Sequence, residues 1–198
     1  NVVVGGGGGL RAPASSRPHK AVQSPTKFLQ ELFEKHQKLD RIPKRATMGD
    51  FTRPSEEEVQ CYNDAVRFVR GNELDKLKAL HQEGKNLDAC NRVGESLLMV
   101  ACRRGHTEIA NFLIQQVRVR VDLRDDFGRT LMHDACWRPE PCPDLMDVLI
   151  RAVSPNWLLA QDVRGHTPFD YARREHWGCW IKYLKEREEI IVQRLALI

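Results

Sequence analysis

The chain has 198 residues and a mass of 22.8 kDa, with 41% hydrophobic and 29% charged side chains. That suffices for one domain of ordinary size plus a less ordered extension, and it excludes two large domains. The formal charge of +4 sits in residues 1–27, where Arg11, Arg17, Lys20 and Lys27 face no acid, while the remaining 171 residues hold 27 basic and 27 acidic side chains. A charge excess confined to such a tail says little about the folded part.

No apolar run approaches the roughly 18 residues of a membrane helix, and Asn1–Val4 followed by five glycines is too short for a signal peptide. The first residue is not Met and the first Met is Met48, which fits a fragment or a processed product. With Arg53 where a myristoylation signal wants Ser or Thr, lipidation from Met48 is not expected. Six scattered cysteines in a chain of this size fit a reducing compartment, so the protein is read as intracellular, cytoplasmic or nuclear.

Residues 1–23 lack apolar periodicity and read as a disordered Gly/Ser/Pro-rich basic tail. Residues 24–54 read as a short amphipathic helix followed by a linker. Ser24-Pro25-Thr26-Lys27 has the pattern of a proline-directed phosphorylation site, and Phe28, Leu29, Leu32 and Phe33 recur at helical spacing. That helix either docks on the domain or is offered to another protein's groove. Pro43 and Pro54 in a polar stretch argue for the linker.

The folded domain is placed at 55–195. Ser55-Glu56-Glu57-Glu58 forms a capping box that opens a helix bearing Val59, Tyr62, Val66 and Val69 and closing at Gly71. A second helix carries Leu74, Leu77 and Leu80 to Gly84. Beyond it the chain repeats itself. Asn91–Cys102 aligns with Asp125–Cys136 and with Asp162–Arg173, and Gly94, Gly128 and Gly165 stand 34 and 37 positions apart. That period is the mark of a helical solenoid. Gly allows a tight turn of positive φ, Ser96, Thr130 or Thr167 caps a helix, and Ala101, Ala135 and Ala172 allow close helix approach.

On these residues, and on Gly105-His106-Thr107-Glu108-Ile109 and Gly165-His166-Thr167-Pro168-Phe169, the chain resembles the ankyrin repeat family. The resemblance implies an all-α solenoid of about four helix-turn-helix units with projecting loops, at about 59–90, 91–124, 125–161 and 162–195. It also implies that His133 is a hydrogen-bonding structural histidine and that Cys102 and Cys136 take small buried positions. The first unit lacks the full signature, as a cap would. Pro139-Glu140-Pro141-Cys142-Pro143 replaces Gly-His between the helices of the third, and the fourth runs on through Trp180, Ile181 and Leu184 as a C-terminal cap.

Chemistry is sparse. The glycines at 5–9 lack the Lys-Ser/Thr of a phosphate loop, no Cys-x-x-Cys occurs, and no nucleophile and base can be assembled from spacing. No catalytic residue, cofactor or metal is assigned, His176-Trp177-Gly178-Cys179 being the least explained cluster. The family resemblance implies a noncatalytic interaction module or adaptor with a concave face formed by loops and first helices; the chain is read as a monomer with a protein partner, without a membrane segment, and with nucleic acid ranked well below protein as a partner. Mapped unit by unit, that face carries Arg92, Arg103, Arg104, Phe127, Arg129, Trp137, Arg138, Arg164 and Arg174. With Val93, Glu95, Asp126, Val163, His166 and Glu175 its formal charge is +4. Such a face fits an acidic protein segment, with Trp137 as apolar anchor and Arg103, Arg104 and Arg138 as carboxylate partners. The alternatives are the targeting region of a larger enzyme, or a nucleic-acid-associated protein using the tail and the arginine face.

Overall fold

Three turns with the same hydrogen bonds set the period of the fold. In the computed structural model, which describes residues 23–47, 51 and 53–197, the side-chain oxygen of Asn91 accepts from the amides of Val93 (3.1 Å) and Glu95 (3.0 Å). Asp125 serves Phe127 and Arg129 in the same way (3.0 and 2.8 Å), and Asp162 serves Arg164 and His166 (2.8 and 2.9 Å). Side chains that bond backbone two and four residues on fold a tight projecting turn. Gly94, Gly128 and Gly165 complete each turn at φ of 80°, 73° and 85°, where a Cβ would be strained. Neighbouring turns are joined by Asp126 N to Val93 O (2.9 Å) and Val163 N to Phe127 O (3.0 Å).

The helices are α1 (Pro25–Lys35), α2 (Glu56–Arg70), α3 (Leu74–Gln82), α4 (Leu97–Arg104), α5 (Thr107–Phe112), α6 (Leu131–Cys136), α7 (Pro143–Ala152), α8 (Trp177–Glu186) and α9 (Glu188–Leu195). No strand occurs among the described residues beyond a single bridge between Cys90 and Ser96. The fold is thus the expected all-α solenoid. The capping box forms, with Ser55 Oγ accepting from Glu58 N (3.1 Å) and Ser55 N donating to Glu58 Oε2 (3.0 Å), and Ser96 Oγ caps α4 through Met99 N (3.1 Å). Every residue from Leu97 to Cys102 is buried, as is every residue of α6. First helices therefore stack α2 on α4 on α6, each burying the apolar face that its neighbour cannot cover alone. Cys102 and Cys136 lie in this core, where burial pushes both thiols up.

Helix α2 closes at Gly71 as expected, and Asn72 (φ 57°) takes the left-handed conformation after it, a region that asparagine tolerates. Three details differ from the sequence-based expectation. The first helix of the fourth unit is one 3-10 turn, Pro168–Tyr171, after which Ala172 and Arg173 are extended and the Tyr171 hydroxyl donates to Asp162 (2.6 Å). The terminal helix breaks at Arg187, whose guanidinium grips both carboxylate oxygens of Asp147 at 2.9 Å.

The third difference is the largest and lies in the segment that follows α1. Helix α1 itself docks on the domain, one of the two expected outcomes, burying Leu29, Leu32 and Phe33 against α8 and the turns at 155–159 and 168–171. Thr26 Oγ1 meets Thr167 Oγ1 (2.9 Å) and Asp170 Oδ1 (3.1 Å). From there residues 38–47, the first part of the stretch 38–54 read as a linker, run back across the projecting turns. Asn156 donates to Arg41 O (2.8 Å), Ala46 N to Gln161 O (3.2 Å), and Arg45 Nε to Val163 O (3.2 Å). Ala46 lies against Gly128 and Phe51 against Gly94, so a Cβ at either glycine would overlap the strap. The turn glycines thus leave room for a second segment of chain. The tail at 1–22 lies outside the described residues.

Candidate protein-binding face

The projecting turns thrust Arg92 and Val93, Asp126 and Phe127, and Val163 and Arg164 outward, and the first helices present Arg103, Arg104, Trp137 and Arg138 beside them. Phe127 is 49% and Trp137 47% exposed, high values for side chains of this size. Arg129 lies 4.9 Å from the Phe127 ring centre and 5.3 Å from that of Trp137, Arg103 lies 5.8 Å from Trp137, and Tyr171 closes on Trp137 at 5.3 Å. Phe127, Trp137 and Tyr171 therefore form an aromatic ridge fixed by guanidinium contacts.

The arginines of the face fall into two groups. Arg103 donates from Nε to Asp134 Oδ1 (2.8 Å) and pairs through Nη1 with Glu95 Oε1 (2.7 Å), while Glu95 Oε2 accepts from the Tyr62 hydroxyl (2.6 Å). Burial disfavours charge on Arg103, but Asp134 and Glu95 outweigh it and hold its pKa above the ordinary value. Asp134 is fully buried, and that burial raises its pKa to about 6 even with Arg103 beside it. Arg129 is held by Asp125 Oδ2 through both Nε (2.7 Å) and Nη2, Arg164 by the Tyr171 hydroxyl (2.9 Å) and Asp162 (3.8 Å), and Arg92 by Glu56 (3.0 Å). Including Asp125, Asp134 and Asp162, which the sequence-level mapping assigned to the repeat, lowers the formal charge of the face to +1. Arg103 is thus ion-paired on two sides within the chain, through Nε and Nη1, while its Nη2 is buried without a hydrogen-bond partner.

Arg104, Arg138 and Arg174 have no ion pair among the described residues, and Arg174 stacks 5.6 Å from Trp177. Arg138 folds back so that its guanidinium fills the place a Cβ on Gly105 would take. Arg70, at the C-terminal end of α2, belongs to the same set and was missed from sequence. Its signal is the repeat period itself, since it stands 34 residues before Arg104.

His133 is fully buried, its Nδ1 accepting from Thr130 N (3.1 Å) and its Nε2 bonded to His166 O (3.1 Å). It ties the third unit to the fourth, and burial lowers its pKa to about 4. Thr167 is likewise buried and bonded to Asp170 (2.7 Å from N, 2.9 Å from Oγ1), with Pro168 starting the following turn. His176 lies 3.7 Å from Glu140 and 3.6 Å from Glu175. Among the described residues no group of three or more His, Cys, Asp or Glu could hold a metal, and no helix is long and apolar enough to cross a membrane.

The turns, caps and stacked helix pairs define a repeat solenoid of the ankyrin type. Residues 63–157 match the family model for ankyrin repeats in three copies, and this stretch of the chain is made of ankyrin repeats. It is similar to the mouse protein fem-1 homolog A-like, with 39% identity over 83 residues, which is 42% of this chain and 12% of that protein. The chain thus spans about an eighth of the length of that relative. Ankyrin repeats make this chain a protein–protein interaction module.

Proposed function

We propose that the module is a noncatalytic adaptor that binds an acidic protein segment on the concave face, with Trp137 and Phe127 as apolar anchors and Arg104, Arg138 and Arg174 as carboxylate partners. The observation that carries this reading is the half-exposed aromatic ridge held in place by Arg103 and Arg129. Pre-positioned aromatic anchors lose little side-chain entropy on binding. Arg104, Arg138 and Arg174, which have no acid partner among the described residues, supply the charge. The reading carries with it a monomer in the cytoplasm or nucleus, where six free thiols are at home.

The test uses the whole chain. Binding of Asp/Glu-rich peptides is followed by anisotropy for the parent, Trp137→Ala and Phe127→Ala, with Lys-rich peptides as controls. Each substitution should weaken acidic-peptide binding about tenfold while leaving the melting temperature within a few degrees. Equal affinity for acidic and basic peptides would remove the acidic-segment reading, and unchanged binding by both variants would move the site off the ridge.

A further inference from the structure

Arg70, Arg104 and Arg138 stand 34 residues apart, one per unit, at the same position of the repeat alignment. Arg70 closes α2, Arg104 closes α4, and Arg138 follows the C-cap of α6. These three helices pack side by side, and packed helices lie about 8–10 Å apart. None of the three arginines forms an ion pair among the described residues, whereas Arg103, one residue from Arg104, has two acid partners. Their common neighbour is His106. Burial lowers its pKa, a bond to the Arg70 carbonyl opposes that, and the charges of Arg104 and Arg138 add to the lowering. His106 Nε2 and Arg138 Nε are both buried without a hydrogen-bond partner. The fourth unit carries Glu175 at the equivalent place, so the row ends after three cations.

We propose that these arginines form a ladder that reads an extended acidic segment with Asp or Glu at every third residue. The proposal deepens the acidic-segment reading above and rests on it. A polyproline II strand rises about 3.1 Å per residue, so every third side chain points the same way about 9 Å further on, which matches the spacing of the helices that carry the arginines once the Arg138 guanidinium swings out from its resting place over Gly105. An acidic helix does not fit as well, since same-face residues three or four apart advance only about 5–6 Å. Arginine at a helix C-terminus also complements the helix dipole, but that role appears as stability and cannot distinguish one spacing of acids from another.

The experiment measures anisotropy of fluorescent peptides on the full chain at low salt. One peptide has four Glu-Pro-Pro units, and a second has the same composition with its glutamates contiguous. The variants are Arg70→Gln, Arg104→Gln, Arg138→Gln and their combination, and the control is Lys76→Gln, Lys85→Gln and Lys185→Gln together, with the same loss of charge. The spaced peptide should bind at least about fivefold tighter than the contiguous one. Each ladder substitution should cost about threefold and the triple variant about thirtyfold, while the control triple changes affinity less than about twofold. Equal binding of the two peptides, or a triple variant that binds like the control, overturns the ladder. If the ladder variants bind normally while Trp137→Ala does not, the acidic-segment reading survives and the ladder falls; if no acidic peptide binds the parent, both fall. A singly phosphorylated, otherwise neutral peptide that displaces the spaced peptide would make the cluster a point phosphate site and likewise overturn the ladder.

Discussion

Arg103 and Arg104 are neighbours in sequence and opposites in circumstance. Arg103 turns into the groove, where Asp134 and Glu95 hold it from two sides, and Arg104 stands exposed at the end of the same helix with no acid partner among the described residues. The same contrast separates Arg129, held by Asp125, from Arg138, which lies across Gly105. A guanidinium already paired with buried carboxylates brings a new partner little net attraction, because binding must compete with bonds already made. Charge counted along a sequence therefore overstates what a face can offer, and the cations left over at the helix ends are the ones available for recognition.

The contrast can be broken most forcibly at its buried end. Arg103→Ala leaves Asp134 enclosed without its cation and Glu95 without its strongest partner. Removing one member of a buried pair costs about 3–5 kcal/mol, so this variant should show a large drop in urea or thermal stability. A loss below about 1 kcal/mol would mean that the Glu95–Arg103–Asp134 chain is not the lock described above.

Acid titration gives the next effect, of about 3 kcal/mol, through two buried neighbours that oppose each other. Asp134 has a folded pKa of about 6, above its ordinary value. Between about pH 4 and 6 the folded state therefore binds more protons, and stability falls as pH rises. His133 has a folded pKa of about 4, below its ordinary value. Across about pH 4 to 6.5 the unfolded state binds more protons, and stability rises with pH. The parent should accordingly show a shallow profile in this window. Asp134→Asn removes the first effect and should expose the second, a steady loss of about 3 kcal/mol on going from pH 6.5 to 4. If the variant and the parent have parallel melting temperatures across that range, Asp134 is not the group that masks His133.

What was legible beforehand divides along the same line as the arginines. The turns were readable because each is closed by residues within four positions of one another, Asn91 to Glu95 or Asp162 to His166, and local chemistry leaves a local signature. The neutralisation of Arg103 was not, because Asp134 is 31 residues away and had been assigned to the repeat rather than to the surface. The strap was hidden for the same reason: Arg45 reaches Val163 across 118 residues, and nothing in a polar, proline-containing stretch specifies that distant carbonyl. Arg70 is visible in principle through the period, but the first unit lacks the signature that anchors the alignment, so the sequence alone does not pair its last helical residue with Arg104.

Gly105→Ala sharpens the comparison at an intermediate scale, since the glycine sits at φ 73° and its missing Cβ makes room for the Arg138 guanidinium. The left-handed conformation should cost about 1–2 kcal/mol with alanine, and the flexible head of Arg138 should be displaced rather than the backbone. The expected result is a modest drop in melting temperature together with altered binding of the spaced acidic peptide. A stability loss with unchanged peptide binding would show that the resting place of Arg138 over the turn is irrelevant to its availability.

The smallest stability effect is expected at Arg104, and it is the most informative one. Exposed, without an acid partner and at a helix end, Arg104→Ala should change folding free energy by no more than about 0.5 kcal/mol, a tenth or so of the expected cost at its neighbour. Its consequence should appear instead in recognition, as an affinity loss of about threefold for the spaced acidic peptide and a weaker dependence of that affinity on salt. Measured side by side, the two adjacent alanine variants form a double dissociation. Arg103→Ala loses stability before it loses binding strength per folded molecule, and Arg104→Ala loses binding with its stability intact. Were both variants to lose only stability, the arginines of the helix ends would be structural like those of the groove.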